Sequence, residues 1–194
     1  MPQPNHVMAI HVPDDSDLEP NLNDRMRKYF SICREKIGFV PNVLKSYAVR
    51  PEKIANFVNF YNELMLGESG LSKLEREMIA VVVSSTNHCY YCIVAHGQAV
   101  RELSGDSELG EMLAANYRVA DLEPRHMAML DFVYKLTNTP EQISDSDRQS
   151  LREAGFTDHE MFDIADVAGF FNMSNRVAIA MDMMPNREYQ SLNR

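Results

Sequence analysis

The sequence contains no tryptophan and only three cysteines, two of which stand in one short motif. So few cysteines exclude a disulfide scaffold, which depends on several cross-links. The chain also lacks an excess of positive charge, since its formal net charge is −9. We therefore expect no binding to nucleic acid and no docking on an anionic membrane, because both partners attract basic surfaces.

Two further absences concern location. No apolar run is long enough to span a bilayer, and residues 1–6 lack the basic and apolar segments of a secretory signal. We therefore expect a cytoplasmic protein, in which a Cys-x-x-Cys motif usually indicates redox or metal chemistry. The 194 residues, 45% of them hydrophobic, are sufficient for a globular fold with a substantial core.

Apolar residues recur at helical spacing along most of the chain, and no strand pair is evident. Pro51 is placed to start a helix, and Ser72 with Glu75 has the spacing of a capping box. The fold class is therefore predicted to be all-α. The predicted helices cover residues 22–36, 44–49, 51–66, a segment from Ser72 through Glu77, 88–103, 108–116, 124–137, 144–154 and 158–181.

The predicted organisation is an extended N-terminal arm at residues 1–20 and a single helical domain at residues 21–194. Residues 160–175 weakly echo residues 77–92, with Asn172 and Asn175 at the positions of the two cysteines. The echo suggests a pseudo-repeat of two helical halves, an active half at about 21–105 and a scaffold half at about 106–182. Chance similarity between two helical segments is the alternative.

The most informative motif is Cys89-x-x-Cys92-x-x-x-His96. Positions i, i+3 and i+7 of a helix share one face, so the two thiols and the imidazole are predicted to lie together. Thiol chemistry proceeds through the thiolate, which a helix N-terminus or a nearby histidine makes easier to form. The pattern therefore predicts a dithiol beside a base.

Glu77 lies twelve residues before Cys89. On one straight helix it would be roughly 28 Å from His96. The polar run that ends at Asn87 predicts a helix end there, with Asn87 as the N-cap of a second helix that starts near His88 and folds back. Glu77 and His96 would then face each other at one level, within reach of a hydrogen bond or one bridging water.

Simpler interpretations stay open at this point. The two cysteines could be small buried hydrophobic residues. His88, Cys89, Cys92 and His96 could instead bind zinc, although ligands from one helix stripe cannot surround a tetrahedral ion without help from elsewhere. The third cysteine, Cys33, falls on an apolar stripe and is expected in the core.

The pattern Glu77-x11-Cys89-x-x-Cys92-x-x-x-His96, with Gly38-Phe39-Val40-Pro41-Asn42 upstream, resembles the carboxymuconolactone decarboxylase superfamily and its alkylhydroperoxidase D-like, peroxidase-related branch. The resemblance implies an all-α fold, homo-oligomers from dimers to hexamers, and thiol-dependent reduction of hydroperoxides without a cofactor. The reductant would be a dithiol or a thioredoxin-like or lipoyl protein. The alternatives are a lyase of the carboxymuconolactone decarboxylase type and a non-enzymatic metal-binding or redox-sensing module.

The resemblance also implies roles for individual residues. Glu77 and His96 would relay a proton, through water, from the Cys92 thiol, Cys92 would attack the peroxide, and Cys89 would resolve the sulfenic acid to a disulfide. The place of Cys89 in the first turn of its helix also favours a thiolate, so Cys89 could be the cysteine that a partner thiol attacks.

Two neighbouring side chains are expected to be accessory. They are His88, which precedes the first cysteine, and Tyr91, which stands where the resemblance to the antioxidant alkylhydroperoxidase D implies a histidine.

Overall fold

The computed structural model describes residues 3–194, and within that range the chain forms α-helices and short 3₁₀ turns with no β-strand. The predicted all-α class is therefore confirmed. Among these residues, no helix combines the length and hydropathy needed to cross a membrane. The helices are α1 (Asp15–Leu18), α2 (Asp24–Ile37), α3 (Asn42–Ala48), α4 (Pro51–Leu66), α5 (Lys73–Thr86), α6 (Tyr90–Ser104), α7 (Leu109–Asn116), α8 (Pro124–Asn138), α9 (Asp145–Glu153) and α10 (Asp158–Ala180).

Local sequence signals set most helix boundaries. Pro51 is the first residue of α4, where its missing N–H costs nothing. Ser72 and Glu75 form the predicted capping box at the start of α5. Gly38 ends α2 with φ of +87°, a left-handed conformation that glycine adopts without strain.

The core is built around α5. Every residue of this helix from Glu75 to Ser84 is buried, because α6, α7, α8 and α10 pack around it. A second apolar cluster joins α1–α4 through Met26, Phe30 and Ile54. Since the central helix carries Glu77, that carboxylate is held in the interior of the fold.

The N-terminal segment predicted as an extended arm is partly helical and packs on the domain. Residues 1 and 2 of that segment lie outside the described residues. Helix α1 places Leu18 in the second apolar cluster. Further upstream, the N–H of Ala9 donates to Met181 O at 2.7 Å, and the N–H of Met184 donates to Val7 O at 3.0 Å. These contacts fix the segment beside the end of α10.

The two segments of the sequence echo differ in backbone. Residues 77–92 contain the break between α5 and α6, whereas residues 160–175 lie within the continuous 23-residue helix α10. Thr157 and Glu160 form a capping box at the start of α10, as Ser72 and Glu75 do for α5. The two halves therefore share the capping box that starts a helix, but the second half has no copy of the turn between α5 and α6.

Candidate active site

The turn between α5 and α6 places the Cys-x-x-Cys motif. The N–H of His88 donates to Ser85 O at 3.0 Å, and the N–H of Cys89 donates to Ser84 O at 2.9 Å. This is a Schellman ending with His88 in the left-handed region at φ of +58°. The prediction that Asn87 caps the second helix is wrong, because Asn87 is the C-cap of α5 and Cys89 is the N-cap of α6.

The predicted contact between Glu77 and His96 is present. Nδ1 of His96 lies 2.6 Å from Oε2 of Glu77, and the two side chains are only 12% and 11% exposed. An ionised carboxylate can only accept, so Nδ1–H donates and Nε2 is the nitrogen free to take a proton. The imidazole ring also packs against the ring of Phe171 in a T-shaped arrangement, with ring centroids 4.6 Å apart. The ring is therefore held from two sides.

Cys89 combines burial with a favourable position for a thiolate. Its side chain is 1% exposed. The pKa of its thiol is lowered from 9.0 to about 7, chiefly because the Cys92 side chain gives it a hydrogen bond. The backbone N–H groups of Cys92 and Tyr91 and the nearby His96 act in the same direction, and burial opposes them. Cys89 is thus the cysteine more easily ionised at neutral pH.

The Cys92 thiol, in contrast, is held in its protonated form. The pKa of its thiol is raised well above its ordinary value because it donates the hydrogen bond to Cys89, because it is buried, and because Cys89 is negatively charged beside it. Cys92 also lies one helical turn before His96 on α6, a spacing that brings side chains together. Cys92 therefore needs a base to ionise, and His96 is placed on the same helix face.

A cavity of about 250 Å³ joins these residues. Glu77, Cys92 and His96 all line it, whereas Cys89 does not. Cys89 instead packs against Met8, Cys92, Ala178 and Met183. Eight of the other lining residues are aromatic, and they are Tyr29, Tyr47, Phe57, Tyr61, Tyr91, Phe170, Phe171 and Tyr189.

The two accessory candidates occupy different places. Tyr91 lines the cavity, and its hydroxyl accepts the N–H of Val43 at 3.0 Å, which anchors α3 against α6. His88 is exposed and lines a separate depression beside Arg118. His88 therefore serves the turn, and the structure does not bring it to the cavity.

Sequence reasoning missed several residues of the site. The half-buried Cys33 lines the cavity from α2, and Phe171 and Asn175 reach the site from α10. These residues come from segments far apart in sequence, so no local spacing connects them with the motif. The only available signal was the echo that set Asn175 against Cys92.

The zinc interpretation has no ligand set in the part of the chain that the structure describes. Between residues 3 and 194, no group of three or more histidine, cysteine, aspartate or glutamate side chains is arranged to hold a metal ion. His88 is turned away, and the sulfur of Cys92 is engaged with Cys89. The four donors that the motif offers are therefore not gathered around one point.

The effect of the hydrogen bond from Cys92 on the pKa of Cys89 can be tested by mutation. In a Cys92→Ala variant that also lacks Cys33, we expect the pKa of Cys89 to rise from about 7 towards 9, because its largest stabilising contact is removed. The ultraviolet absorbance of the thiolate, titrated with pH, measures this. A titration unchanged from that of the Cys33→Ser parent would show that the helix N-terminus sets the pKa without Cys92.

Comparison with known proteins identifies the family. The profile of the Carboxymuconolactone decarboxylase family matches residues 51–116, the segment that carries Glu77, Cys89, Cys92 and His96. The chain is 57% identical to a peroxidase-related protein from Silicibacter sp. TM1040, with 100% of both chains covered and a TM-score of 0.92. The chain belongs to the carboxymuconolactone decarboxylase superfamily, in its alkylhydroperoxidase D-like branch.

Other solved structures agree on the fold. A peroxidase-related protein with an alkylhydroperoxidase AhpD core, from Ralstonia eutropha JMP134, is 38% identical over 98% of both chains with a TM-score of 0.92. A variant of the debrominase Bmp8 in complex with 2,3,4-tribromopyrrole is 16% identical over 95% of this chain and 94% of its own, with a TM-score of 0.76. A search of curated protein sequences gives no match.

Proposed function

We propose that the protein is a thiol-dependent hydroperoxide reductase in which Cys92 is oxidised and Cys89 resolves it. The observation that carries the proposal is that Cys92, His96 and Glu77 line one cavity, with the carboxylate and imidazole 2.6 Å apart. Membership of a family with peroxidase-related members supports the same chemistry.

In the first step, the Cys92 thiol gives its proton to Nε2 of His96, and Glu77 stabilises the imidazolium that forms. The thiolate attacks one oxygen of the hydroperoxide ROOH, so that the S–O bond forms as the O–O bond breaks. The leaving alkoxide takes the proton from His96 and departs as an alcohol. Cys92 is then a sulfenic acid.

In the second step, the Cys89 thiolate attacks the sulfur of the sulfenic acid. The S–S bond forms, the S–O bond breaks, and the leaving hydroxide becomes water by taking up from solvent the proton that the Cys89 thiol released on ionising. The position of Cys89 at the N-cap of α6 suits this role, because the backbone N–H groups of Tyr91 and Cys92 favour its thiolate. An external dithiol, or a thioredoxin-like or lipoyl protein, then reduces the disulfide and is itself oxidised.

The cavity favours an organic hydroperoxide. Its wall is largely aromatic and aliphatic, and Glu77 is the only carboxylate and His96 the only imidazole among its lining residues. An apolar body in the cavity would be removed from water while its peroxide group lies against the sulfur. This reaction needs no cofactor, since the two thiols supply both electrons.

The test follows the two thiols directly. The reduced Cys33→Ser protein is treated with one equivalent of cumene hydroperoxide, alkylated under denaturing conditions and analysed by mass spectrometry. We expect loss of both labels from the peptide of Cys89 and Cys92, and their return after a dithiol is added. Retention of both labels, or a single cysteine at the sulfinic stage without a disulfide, would contradict the proposal. A lyase, in contrast, requires no change in the thiols.

We also propose that the protein assembles into homo-oligomers, between dimers and hexamers. Phe162, Met173 and Val177 are exposed on α10, and the second and third lie 11 and 15 residues beyond the first, so the three share one face. Phe60 and Leu66 are exposed on α4. Apolar surface of this kind tends to be covered by association. Sedimentation at micromolar concentration is expected to show a multiple of the chain mass, and a monomer would refute assembly.

A further inference from the structure

A chain of side-chain amides connects α10 with the turn before α6. Nδ2 of Asn87 lies 3.0 Å from Oδ1 of Asn172 and 3.0 Å from Oδ1 of Asn175. Nδ2 of Asn175 lies 3.1 Å from Oγ of Ser84. Asn175 and Ser84 are completely buried, so the cost of removing their polar groups from water must be met by hydrogen bonds inside the protein.

The direction of this chain is set at its outer end. Both amide protons of Asn172 are used, since Nδ2 donates to Oγ1 of Thr137 at 3.2 Å and to the carbonyl of Ala168 at 3.0 Å. The Asn172 oxygen therefore faces Asn87, whose two amide protons go to the oxygens of Asn172 and Asn175. The Asn175 oxygen is thereby occupied, and its NH₂ group must point the other way.

The inner end of the chain lies towards Cys92, because Ala178, about one turn after Asn175 on α10, packs in the same buried cluster as Cys92. The NH₂ group of Asn175 has two protons, of which one goes to Ser84. Asn175 and Ser84 act on Cys92 as side-chain hydrogen-bond donors that lower the pKa of its thiol and favour the ionised form. They oppose the larger effects of the Cys89 contact and of burial, which disfavour that form. The donors at the inner end are thus directed towards the sulfur that is proposed to react.

We propose that Asn175, together with Ser84, forms an anion-stabilising pocket for Cys92, holding its sulfur through an amide N–H and a hydroxyl when the thiol ionises. The inference rests on the proposed function and deepens it. His96 removes the proton from the cavity side, and Asn175 holds the resulting charge from the α10 side. A buried anion next to a second thiolate otherwise lacks any solvent to stabilise it.

The test uses a protein in which Cys92 is the only thiol, made by Cys33→Ser and Cys89→Ser. Asn175→Ala removes the amide donor, and we expect the thiolate fraction of Cys92 at a fixed pH in its titration range to fall about tenfold. The matched control is Asn172→Ala, which also removes an amide that accepts from Asn87 but leaves both donors to Cys92 in place. Thiolate absorbance and the rate of iodoacetamide alkylation are measured against pH.

Two further variants keep the test decisive. Asn175→Asp keeps the acceptor for Asn87 and replaces the donor by a charge, so the thiolate fraction is expected to fall further than in Asn175→Ala. Ser84→Ala removes the second donor and is also expected to lower the thiolate fraction of Cys92. This variant tests the pocket even if the Asn175 variants fail to fold. Unchanged titrations, or equal shifts in Asn172→Ala and Asn175→Ala, would overturn the role of Asn175.

The titration is independent of turnover, so the inference and the proposed function fail separately. Should the wild-type protein form no disulfide with peroxide while the Cys92 titration responds to Asn175→Ala, the proposed reaction is wrong and the anion pocket stands. Should peroxide oxidise both thiols while the titration ignores Asn175 and Ser84, the pocket is wrong and the reaction stands.

Discussion

Cys92→Ser is expected to reduce peroxide consumption by a factor on the order of 10³ or more, because the reacting nucleophile is lost. Cys92 is the cysteine of the motif that lines the cavity, beside His96. Serine keeps the shape and a hydrogen-bonding group, so folding should be little affected. The measurement is the loss of cumene hydroperoxide with excess dithiol, together with a thermal unfolding curve.

The other two cysteines provide the comparison for Cys92. Cys89→Ser should allow one round of oxidation and then stop, with Cys92 accumulating as sulfenic or sulfinic acid, because no thiolate lies beside it to resolve it. Cys33→Ser is the matched control, since Cys33 lines the same cavity on α2 and has no step in the mechanism. Full turnover in Cys92→Ser, or equal losses in all three variants, would reject the assignment.

The fold was largely predictable because its signals are local. The start of α4 depends on Pro51, and the start of α5 depends on the reciprocal hydrogen bonds of Ser72 and Glu75, which involve residues three apart. The fold-back of α6 on α5 was also predictable, because a polar run in the middle of a helical pattern ends a helix. That one turn brings Glu77 and His96 together.

The detailed geometry of the turn between α5 and α6 was harder to predict from the sequence. Spacing alone does not show that His88 would take a positive φ, an uncommon conformation outside glycine. This single residue moves the start of α6 to Tyr90 and makes Cys89 the N-cap. The consequence is chemical, because the thiol sits before the first turn of the helix and near its free N–H groups.

The cavity wall and the amide chain could not be predicted from spacing. Tyr29, Tyr61 and Phe171 come from α2, α4 and α10 and meet only through tertiary packing. Asn175 lies 83 residues beyond Cys92 in sequence, and a helical asparagine ordinarily suggests an exposed position. Its complete burial becomes understandable only when its hydrogen-bonding partners on the other helices are seen together.

Glu77→Gln is expected to slow sulfenic acid formation on the order of 10²-fold, the lower range of what a positioned base contributes. Glutamine can still accept the Nδ1–H of His96, so the ring should keep its place. What is lost is the negative charge that stabilises the imidazolium after the Cys92 proton has moved. Because this charge acts only on the protonated ring, we expect the pH–rate profile to change along with the rate.

Glu75→Gln is the matched control for Glu77→Gln. Both carboxylates are buried on α5, at 5% and 8% exposure, but Glu75 binds Arg125 at 3.0 Å and caps the helix at Ser72. Replacing Glu75 should lower the unfolding temperature. The rate of sulfenic acid formation in the protein that remains folded should stay close to that of the wild type. Stopped-flow trapping of the sulfenic acid across the pH range separates the two effects. A Glu77→Gln protein with the wild-type rate and pH profile would reduce Glu77 to a structural partner of His96, and the proton relay would have to be abandoned.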